Sequence, residues 1–428
     1  MLRLRVALVP VALLAVVACT LPSPLPPLTS RPNTSEDAKT AKVAADGVNA
    51  FAADLYGQLR TENGNLIVSP YSVSAALSLT AAGAQGNTRT EMESVLHLPP
   101  GAKVGPAYGA MTNGTRASVW SGRGKESVMT SELLVANSLW LQKGDSWKKE
   151  YLALAQHDFR ATLSGADFAH EPEAARGRIN KWVENQTRDH IKDLVPPDGI
   201  SGNTRLVVAN AIYFKARWAE AFKKTNTRPE DFTLATGQKI QTPLMHQKGE
   251  FWLQELDGLQ VLRLPYNGPA SMYVLLPRTA DGLPALEQQL TAENIAKWTR
   301  GPLKSPLVEA KVWLPKFKFS VPTELATTLQ KMGMKEAFDA SKANFTGMTE
   351  HPEGLYIGRV IHKAFVELDE EGTEAAAATA VVMFGRSAAG PEPALVNEFR
   401  ADHPFVFVIK HEPTGTVLFM GRVLDPTR

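Results

Sequence analysis

The apolar residues of this chain change their spacing along the sequence, from a helical period in the first part to strand-like runs in the second. Val48, Phe51, Leu55 and Leu59 recur at helical spacing, and this pattern predicts a helix that begins near Ala41. Because helices come first and strands dominate later, the order predicts an α+β fold. No linker composition appears after residue 38, so we treat 38–428 as one domain.

Local signals place the main elements. Ser69 before Pro70 is a typical helix start, because the serine side chain caps the first amide groups and proline tolerates the first helical position. This helix is predicted over 70–82, and a second one over 174–188. β-branched, aromatic and apolar runs predict strands over 134–141, 205–215, 262–265, 272–277, 308–319, 356–367, 404–409 and 417–423.

Residues 1–18 have the features of a signal peptide. Two arginines precede an apolar run over 6–18, which is too short to cross a bilayer comfortably. The run ends directly before Cys19, the only cysteine among 428 residues. Small residues before a lone cysteine resemble a bacterial lipobox, so we expect cleavage there and a lipid on Cys19. The alternative is an ordinary secretory signal whose cysteine is incidental.

Residues 19–37 are rich in proline, serine and threonine and are expected to form an extended linker. A linker of this kind suits a tether between a lipid anchor and a folded body. The prediction is therefore an exported protein of a bacterial cell envelope, anchored at the outer membrane or cell surface, or else secreted. With one cysteine no disulfide can form within the chain, and packing alone must stabilise the fold.

Charge and motifs argue against several function classes. The net charge is +2 and no dense Lys/Arg run occurs, which disfavours nucleic-acid binding. Lys103, Arg116, Arg123 and Lys125 are scattered through a glycine-rich segment and do not predict a polyanion cofactor site. The common hydrolase, nucleotide-binding and zinc-protease motifs are missing, and the histidines do not pair at metal-ligand spacing. We therefore predict no catalytic residues, no metal and no cofactor.

The segment LDEEGTEAAAATAVVMFGRSA at 368–388 can be interpreted as a helix or as a loop that also fits as a strand. Its alanines favour a helix, but such a helix would lack an apolar face wide enough to dock. Read with a period of two, the face that begins with Thr373 carries only small or apolar residues and no charge. Glu374 falls on the opposite face, so the first face could enter a sheet without burying an ion. We expect a mobile loop, hinged at Gly372, that also fits as a strand.

The run EEGTEAAAATA at 370–380 closely resembles the hinge of the reactive-centre loop of inhibitory serpins. Further stretches in serpin order are 65–72, 83–88, 179–183, 210–215 with Trp218, 264–266, 314–317, 332–334, 362–364, 403–405 and 419–422. Each stretch is weak by itself, but together they cover nearly all of 38–428. The resemblance implies the serpin fold, an α+β structure with a large, mostly antiparallel central sheet and a mobile reactive loop.

The resemblance also implies the attacked bond. In serpins the specificity residue is usually the seventeenth residue counted from the hinge glutamate, and 386 − 370 + 1 = 17 gives Arg386, with Ser387 on the leaving side. An arginine at this position suits a trypsin-like serine protease. Met383 or Phe384 could act as a second site for a chymotrypsin-like or elastase-like enzyme.

By the same resemblance, other residues receive roles in loop insertion. The hinge comprises Glu370, Gly372, Thr373, Glu374, Ala375, Ala376, Ala377 and Ala378. The shutter, a polar cluster under the opening sheet, comprises Ser69, Ser72, Asn210 and His362. The breach, where the loop first enters, comprises Trp218 and the pair Lys316–Glu370. The competing interpretation is ordinary core packing for Trp218 and a surface ion pair for Lys316–Glu370.

The implied activity is suicide inhibition by a monomer. The protease would acylate on Arg386, and the cleaved loop would insert into the central sheet with the protease still attached. The alternatives are a non-inhibitory serpin that acts as a binding or chaperone module, and an unrelated cell-surface enzyme. Non-inhibitory relatives tend to break the small-residue hinge, and this hinge is intact.

Overall fold

Helices and strands alternate over most of the computed structural model, which describes residues 35–109, 119–121, 128–300, 307–351, 354–373 and 397–428. The helices are α1 (Ser35–Leu59), α2 (Pro70–Ala81), α3 (Gly86–Val95), α4 (Lys149–His157), α5 (Pro172–Gln186), α6 (Leu283–Gln288), α7 (Ala292–Trp298) and α8 (Ala326–Met332). The strands are β1 (Leu66–Val68), β2 (Val119–Ser121), β3 (Val128–Gln142), β4 (Thr162–Ala166), β5 (Leu206–Arg217), β6 (Arg228–Thr233), β7 (Lys239–Leu256), β8 (Leu259–Pro265), β9 (Ala270–Pro277), β10 (Val308–Pro315), β11 (Phe317–Glu324), β12 (Ile361–Asp369), β13 (Gly372–Thr373), β14 (Asn397–Arg400), β15 (Phe405–His411) and β16 (Thr416–Val423).

The first two helices pack inside the molecule. In α1 the residues predicted at helical spacing are buried, although the helix begins at Ser35, ahead of the predicted start near Ala41. In α2 the Ser69 hydroxyl accepts the N–H of Ser72 and Pro70 occupies the first turn, as the sequence predicts. Almost every residue of α2 is buried, which explains its Ala- and Leu-rich composition.

In the described part of the chain, one sheet has nine strands and runs in the order β1-β16-β15-β9-β8-β7-β10-β14, with β6 paired to β7. Its ladders are antiparallel except for the parallel pair β10–β14. The long strand β7 pairs in turn with β6, β10 and β8, and so joins two halves of this sheet. Strands β15 and β16 are buried along almost their whole length.

The second described sheet has seven strands, in the order β11-β12-β13-β5-β3-β2, with β4 parallel to β3. The two-residue strand β13 lies between β12 and β5 and is antiparallel to both. Gly372 lies opposite Arg217, and Thr373 lies opposite Ala216 on β5 and Leu368 on β12. Since β13 is antiparallel to both neighbours, β5 and β12 run parallel to each other.

Apolar side chains cover both faces of the seven-stranded sheet. The main core holds Phe214 and Val366 from this sheet together with α1, α2 and the nine-stranded sheet. A smaller cluster joins α5 and the segment after it to the opposite face, through residues such as Ile179 and Ile191 against Ala209. The seven-stranded sheet is therefore a middle layer.

One predicted strand is wrong and another is too long. The run 308–319 forms two strands in different sheets, β10 and β11, separated by Lys316. The buried positions change from even to odd there, because β10 buries Val312 and Leu314 whereas β11 buries Phe317. The predicted strand 356–367 begins only at Ile361. Strands β6 and β7 were not predicted from the sequence pattern.

Candidate functional site

The segment after β12 makes a sharp turn into β13, and its geometry requires glycine. Gly372 has a φ of +148°, a conformation that residues with a side chain rarely adopt. A Cβ atom built on Gly372 would collide with the carbonyl oxygen of Ala216. The hinge glycine predicted from the sequence therefore lies where the backbone comes into close contact with β5.

Trp218, directly after β5, holds this turn through its backbone and its ring. Its N–H donates to the carbonyl of Glu371 at 2.9 Å, and its indole Nε1 donates to the carbonyl of Asp369 at 3.0 Å. The Trp218 ring stacks on Tyr266 with centroids 4.5 Å apart and an interplanar angle of 8°. Trp218 is thus buried and in direct contact with the turn that leads into β13.

Tyr266 links the same stack to the last described hinge residue. The Tyr266 hydroxyl and Thr373 Oγ1 lie 2.7 Å apart and share a hydrogen bond. Burial raises the pKa of Tyr266, so it remains a neutral phenol at physiological pH. This contact orients Thr373 towards the main core.

The predicted pair Lys316–Glu370 is present, with Nζ 2.7 Å from Oε2. The Glu370 side chain is only 4% exposed, whereas the Lys316 side chain is 37% exposed. Thr227 donates to the other Glu370 oxygen at 2.7 Å. Burial opposes ionisation of Glu370, but the hydrogen bonds from Lys316 and Thr227 outweigh it and hold its pKa below the ordinary value. The interpretation as a surface ion pair is therefore wrong for the carboxylate.

Two shutter residues are in direct contact beneath the sheet. The Ser69 N–H donates to Nε2 of His362 at 3.1 Å, and the Ser69 hydroxyl donates to the carbonyl of Leu418 at 2.6 Å. Burial lowers the pKa of His362 to about 4. The ring is therefore neutral at pH 7, and because Nε2 accepts a hydrogen bond, its proton lies on Nδ1.

The other two shutter residues are placed differently. Asn210 donates through Nδ2 to Asn137 on the neighbouring strand β3, and no described hydrogen bond joins it to His362. Ser72 contributes its backbone N–H to the cap on Ser69, while its buried hydroxyl has no hydrogen-bond partner among the described residues. The four residues thus divide into a Ser69–Ser72–His362 group and Asn210, which pairs with Asn137 outside the predicted shutter.

Several predicted site residues lie outside the described residues. They are Cys19, Glu374, Ala375, Ala376, Ala377, Ala378, Arg386 and Ser387.

Three further residues of the site carry no role in the sequence-based prediction: Tyr266, Thr227 and Asn137. Each is far along the chain from its partner, as with Thr227 and Glu370, which are 143 positions apart. Tyr266 does lie in a stretch that resembles serpins, but only the fold reveals its bond to Thr373.

One protein-family model identifies the family of this chain. The family model described as Serpin (serine protease inhibitor) matches residues 46–426.

The chain belongs to the serpin family.

Known serpins resemble this one along nearly their whole length. An uncharacterised serpin-like protein of Thermococcus kodakarensis is 40% identical, over 90% of this chain and 86% of its own length. A leukocyte elastase inhibitor of Bos taurus is 37% identical, over 88% of this chain and 97% of its own. Among solved structures, uncleaved ovalbumin superposes with a TM-score of 0.76 at 29% identity, covering 90% of this chain and all of the other.

These similarities confirm the predicted fold, and inhibitors of proteases occur among the relatives. Within the described ranges, no group of three or more His, Cys, Asp or Glu side chains is placed to hold a metal ion. Among the same residues, no helix is both long and apolar enough to cross a membrane.

Proposed function

We propose that this serpin inhibits a trypsin-like serine protease by acting as a suicide substrate. The observation that carries the proposal is the position of β13, which already forms a short strand between β5 and β12, antiparallel to both. A strand that begins there can lengthen along the same two neighbours without reversing any ladder. Membership of a family of serine protease inhibitors supports the same conclusion.

The register of β13 fixes which side chains a longer strand would bury. Thr373 is buried, so the alternate residues after it would face the same main core. Extending the two ladders would bring together, in order, Ala375 with Phe214 and Val366, Ala377 with Ile212 and Ala364, and Thr379 with Asn210 and His362. These incoming residues are small and uncharged, so no ion would enter the core. The last position would lie between the two shutter groups.

The proposed reaction uses the protease's own chemistry. The protease serine attacks the carbonyl carbon of Arg386, an ester forms, and the peptide bond to Ser387 breaks to leave a new amine on Ser387. Residues 373–386 would then insert, and at about 3.3 Å per residue they would carry the attached protease about 45 Å. Moving the acylated protease away from the place where the ester formed would prevent hydrolysis of that ester.

Trypsin and a soluble form of the protein, residues 20–428, test the proposal. The expected result on a denaturing gel is a stable complex near the summed masses, with a released fragment whose mass corresponds to a start at Ser387. Thr373→Arg should give complete cleavage and active trypsin, because a charge would have to enter the core. Thr373→Ser keeps a hydroxyl for Tyr266 and serves as the matched control that still inhibits.

Other outcomes would contradict the proposal in distinct ways. Clean cleavage of the parent protein with trypsin left active would favour a non-inhibitory serpin or a target of different specificity. Inhibition of trypsin that survives Arg386→Ala would move the attacked bond to Met383 or Phe384. Unchanged inhibition by Thr373→Arg would show that loop insertion is the wrong mechanism.

We also propose that the protein is exported and carries a lipid on Cys19. The support is the sequence pattern before Cys19 and the proline-rich linker after it. In a bacterial host, the parent protein should be recovered with the membrane fraction and should carry an acylated N-terminal cysteine by mass spectrometry. Cys19→Ser should abolish the acyl group. A parent protein with an unmodified N-terminus in the soluble fraction would contradict the proposal.

A further inference from the structure

A small cleft of about 170 Å³ opens beside the breach, between the end of β5 and strands β7 and β8. Trp218, Phe251 and Trp252 line its interior, and all three are buried. Glu220 and Glu250 line its exposed mouth. The proposed inhibitory mechanism makes no use of this cleft.

Among the described residues that line the cleft, carboxylates outnumber cations. Arg263 also lines the cleft, but it is already paired, with Nε 3.2 Å from Glu412 and 3.1 Å from the hydroxyl of Ser271. Glu220 and Glu250 have no ion-pair partner among the described residues. The residue opposite Glu250 on β10 is Glu309, whose carboxylate is already paired with Lys248.

Glu220 lies across the face of β7 that borders the cleft. One of its carboxylate oxygens is 3.9 Å from the position of a Cβ atom built on Gly249, and the Phe251 ring is 3.5 Å from the same position. Gly249 and Phe251 project to one side of β7, since they are two residues apart. A carboxylate and an aromatic ring therefore face the same space.

Size and chemistry together define the occupant. A cavity of about 150 Å³ is large enough to bind benzene, so this cleft accommodates one ring or an alkyl group of similar size. It is smaller than the roughly 300–1,000 Å³ of sites for drug-sized ligands. Aromatic walls attract organic cations through the ring faces, and carboxylates at the mouth add a direct charge interaction.

We propose that this cleft binds a small organic ammonium ion, with its apolar group against Trp218, Phe251 and Trp252 and its ammonium group at Glu220. The inference does not depend on the proposed inhibition, because binding can be measured on the serpin alone. Trp218 also holds the hinge turn, so the occupant would lie against the same ring whose Nε1 donates to the carbonyl of Asp369.

Three probes with the same ring and different charges test the site. Benzylammonium, benzyl alcohol and benzoate are titrated into the purified full-length serpin without protease, and binding is followed by saturation-transfer NMR and calorimetry. We expect saturable binding of benzylammonium, binding of benzyl alcohol weaker by about fivefold, and no binding of benzoate, because only charge distinguishes the three. Increasing salt should weaken the binding of benzylammonium alone.

Substitutions separate this cleft from other sites on the surface. Glu220→Gln should weaken benzylammonium binding by about threefold and leave benzyl alcohol unaffected, since exposed charge pairs contribute little individually. Glu250→Gln should weaken it less, because Glu250 projects to the other side of β7. Both carboxylates are exposed, so these variants should fold normally. Asp281→Asn removes an exposed carboxylate elsewhere and should bind like the parent protein. Ala219→Trp, at the mouth, should block all binding.

Three results would overturn the proposal. They are no saturable binding of benzylammonium, equal affinity for the three probes, and affinity for benzylammonium that neither glutamine variant changes. Because none of these measurements uses a protease, failure here would leave the trypsin experiment unaffected, and failure of that experiment would leave this site standing.

Discussion

At the scale of single residues, His362 connects the shutter to pH. Its neutral ring accepts the N–H of Ser69, and burial lowers its pKa to about 4 from an ordinary value of 6.5. The unfolded chain therefore binds a proton between these values that the folded chain does not. The contribution of His362 to the free energy of unfolding is fully present above about pH 6.5. It decreases as the pH falls towards 4, by about 3 kcal/mol at most.

This pH dependence is checked by thermal unfolding between pH 7.5 and 4. His362→Gln can keep an acceptor for the Ser69 N–H without a titrating group, so its melting temperature should fall less over this range than that of the parent protein. His157→Gln, which removes an exposed histidine of α4, should behave like the parent protein. If His362→Gln and the parent lose stability in parallel, His362 is not the titrating group.

Gly372 gives a second prediction at this scale. Gly372→Ala should lower the melting temperature markedly, because a Cβ would both strain a φ of +148° and collide with Ala216. Gly237 also has a positive φ, of +84°, but a Cβ there meets nothing within 4 Å. Gly237→Ala should cost only about 1–2 kcal/mol for its backbone conformation. Equal losses would show that the close contact with β5 is not the cause.

At the scale of elements, the segment after α5 spans the two strands that must separate if the loop inserts. The His190 ring lies 5.4 Å from the Tyr213 ring of β5 and 4.9 Å from the Phe365 ring of β12. Lys363 of β12 also donates to the carbonyl of Lys192 at 2.9 Å. This segment therefore connects β5 to β12 across the seven-stranded sheet.

Under the proposed function, His190→Ala should let β5 and β12 separate more easily. Ring contacts of this kind contribute about 0.5–1.5 kcal/mol each, so spontaneous loop insertion should accelerate by severalfold. The measurement is the loss of trypsin inhibition during incubation at raised temperature. His157→Ala, at an exposed position of α4, is the control. An unchanged rate of loss would mean that the His190 contacts do not limit separation of the two strands.

At the scale of the whole molecule, the seven-stranded sheet is incomplete, because β13 is much shorter than the two strands on either side of it. Two residues occupy the space between β5 and β12, whereas those strands continue well beyond them. A longer strand there would lengthen both ladders and bury further apolar surface. Cleavage at Arg386 should therefore raise the melting temperature, by well over 10 °C. Thr373→Arg, cleaved in the same way, should show little or no increase, and a similar increase in both would argue against insertion at β13.

The amino-acid sequence by itself determined the family, the α+β class and the helix capped by Ser69, because these depend on local spacing, capping and a hinge of small residues. It also predicted the Lys316–Glu370 pair through its resemblance to serpins. Only the tertiary structure decided that Glu370 is buried, that Tyr266 binds Thr373, and that 308–319 divides between two sheets. Burial and contacts between distant residues arise when separate segments pack together, and no local pattern in the sequence encodes which segments will meet.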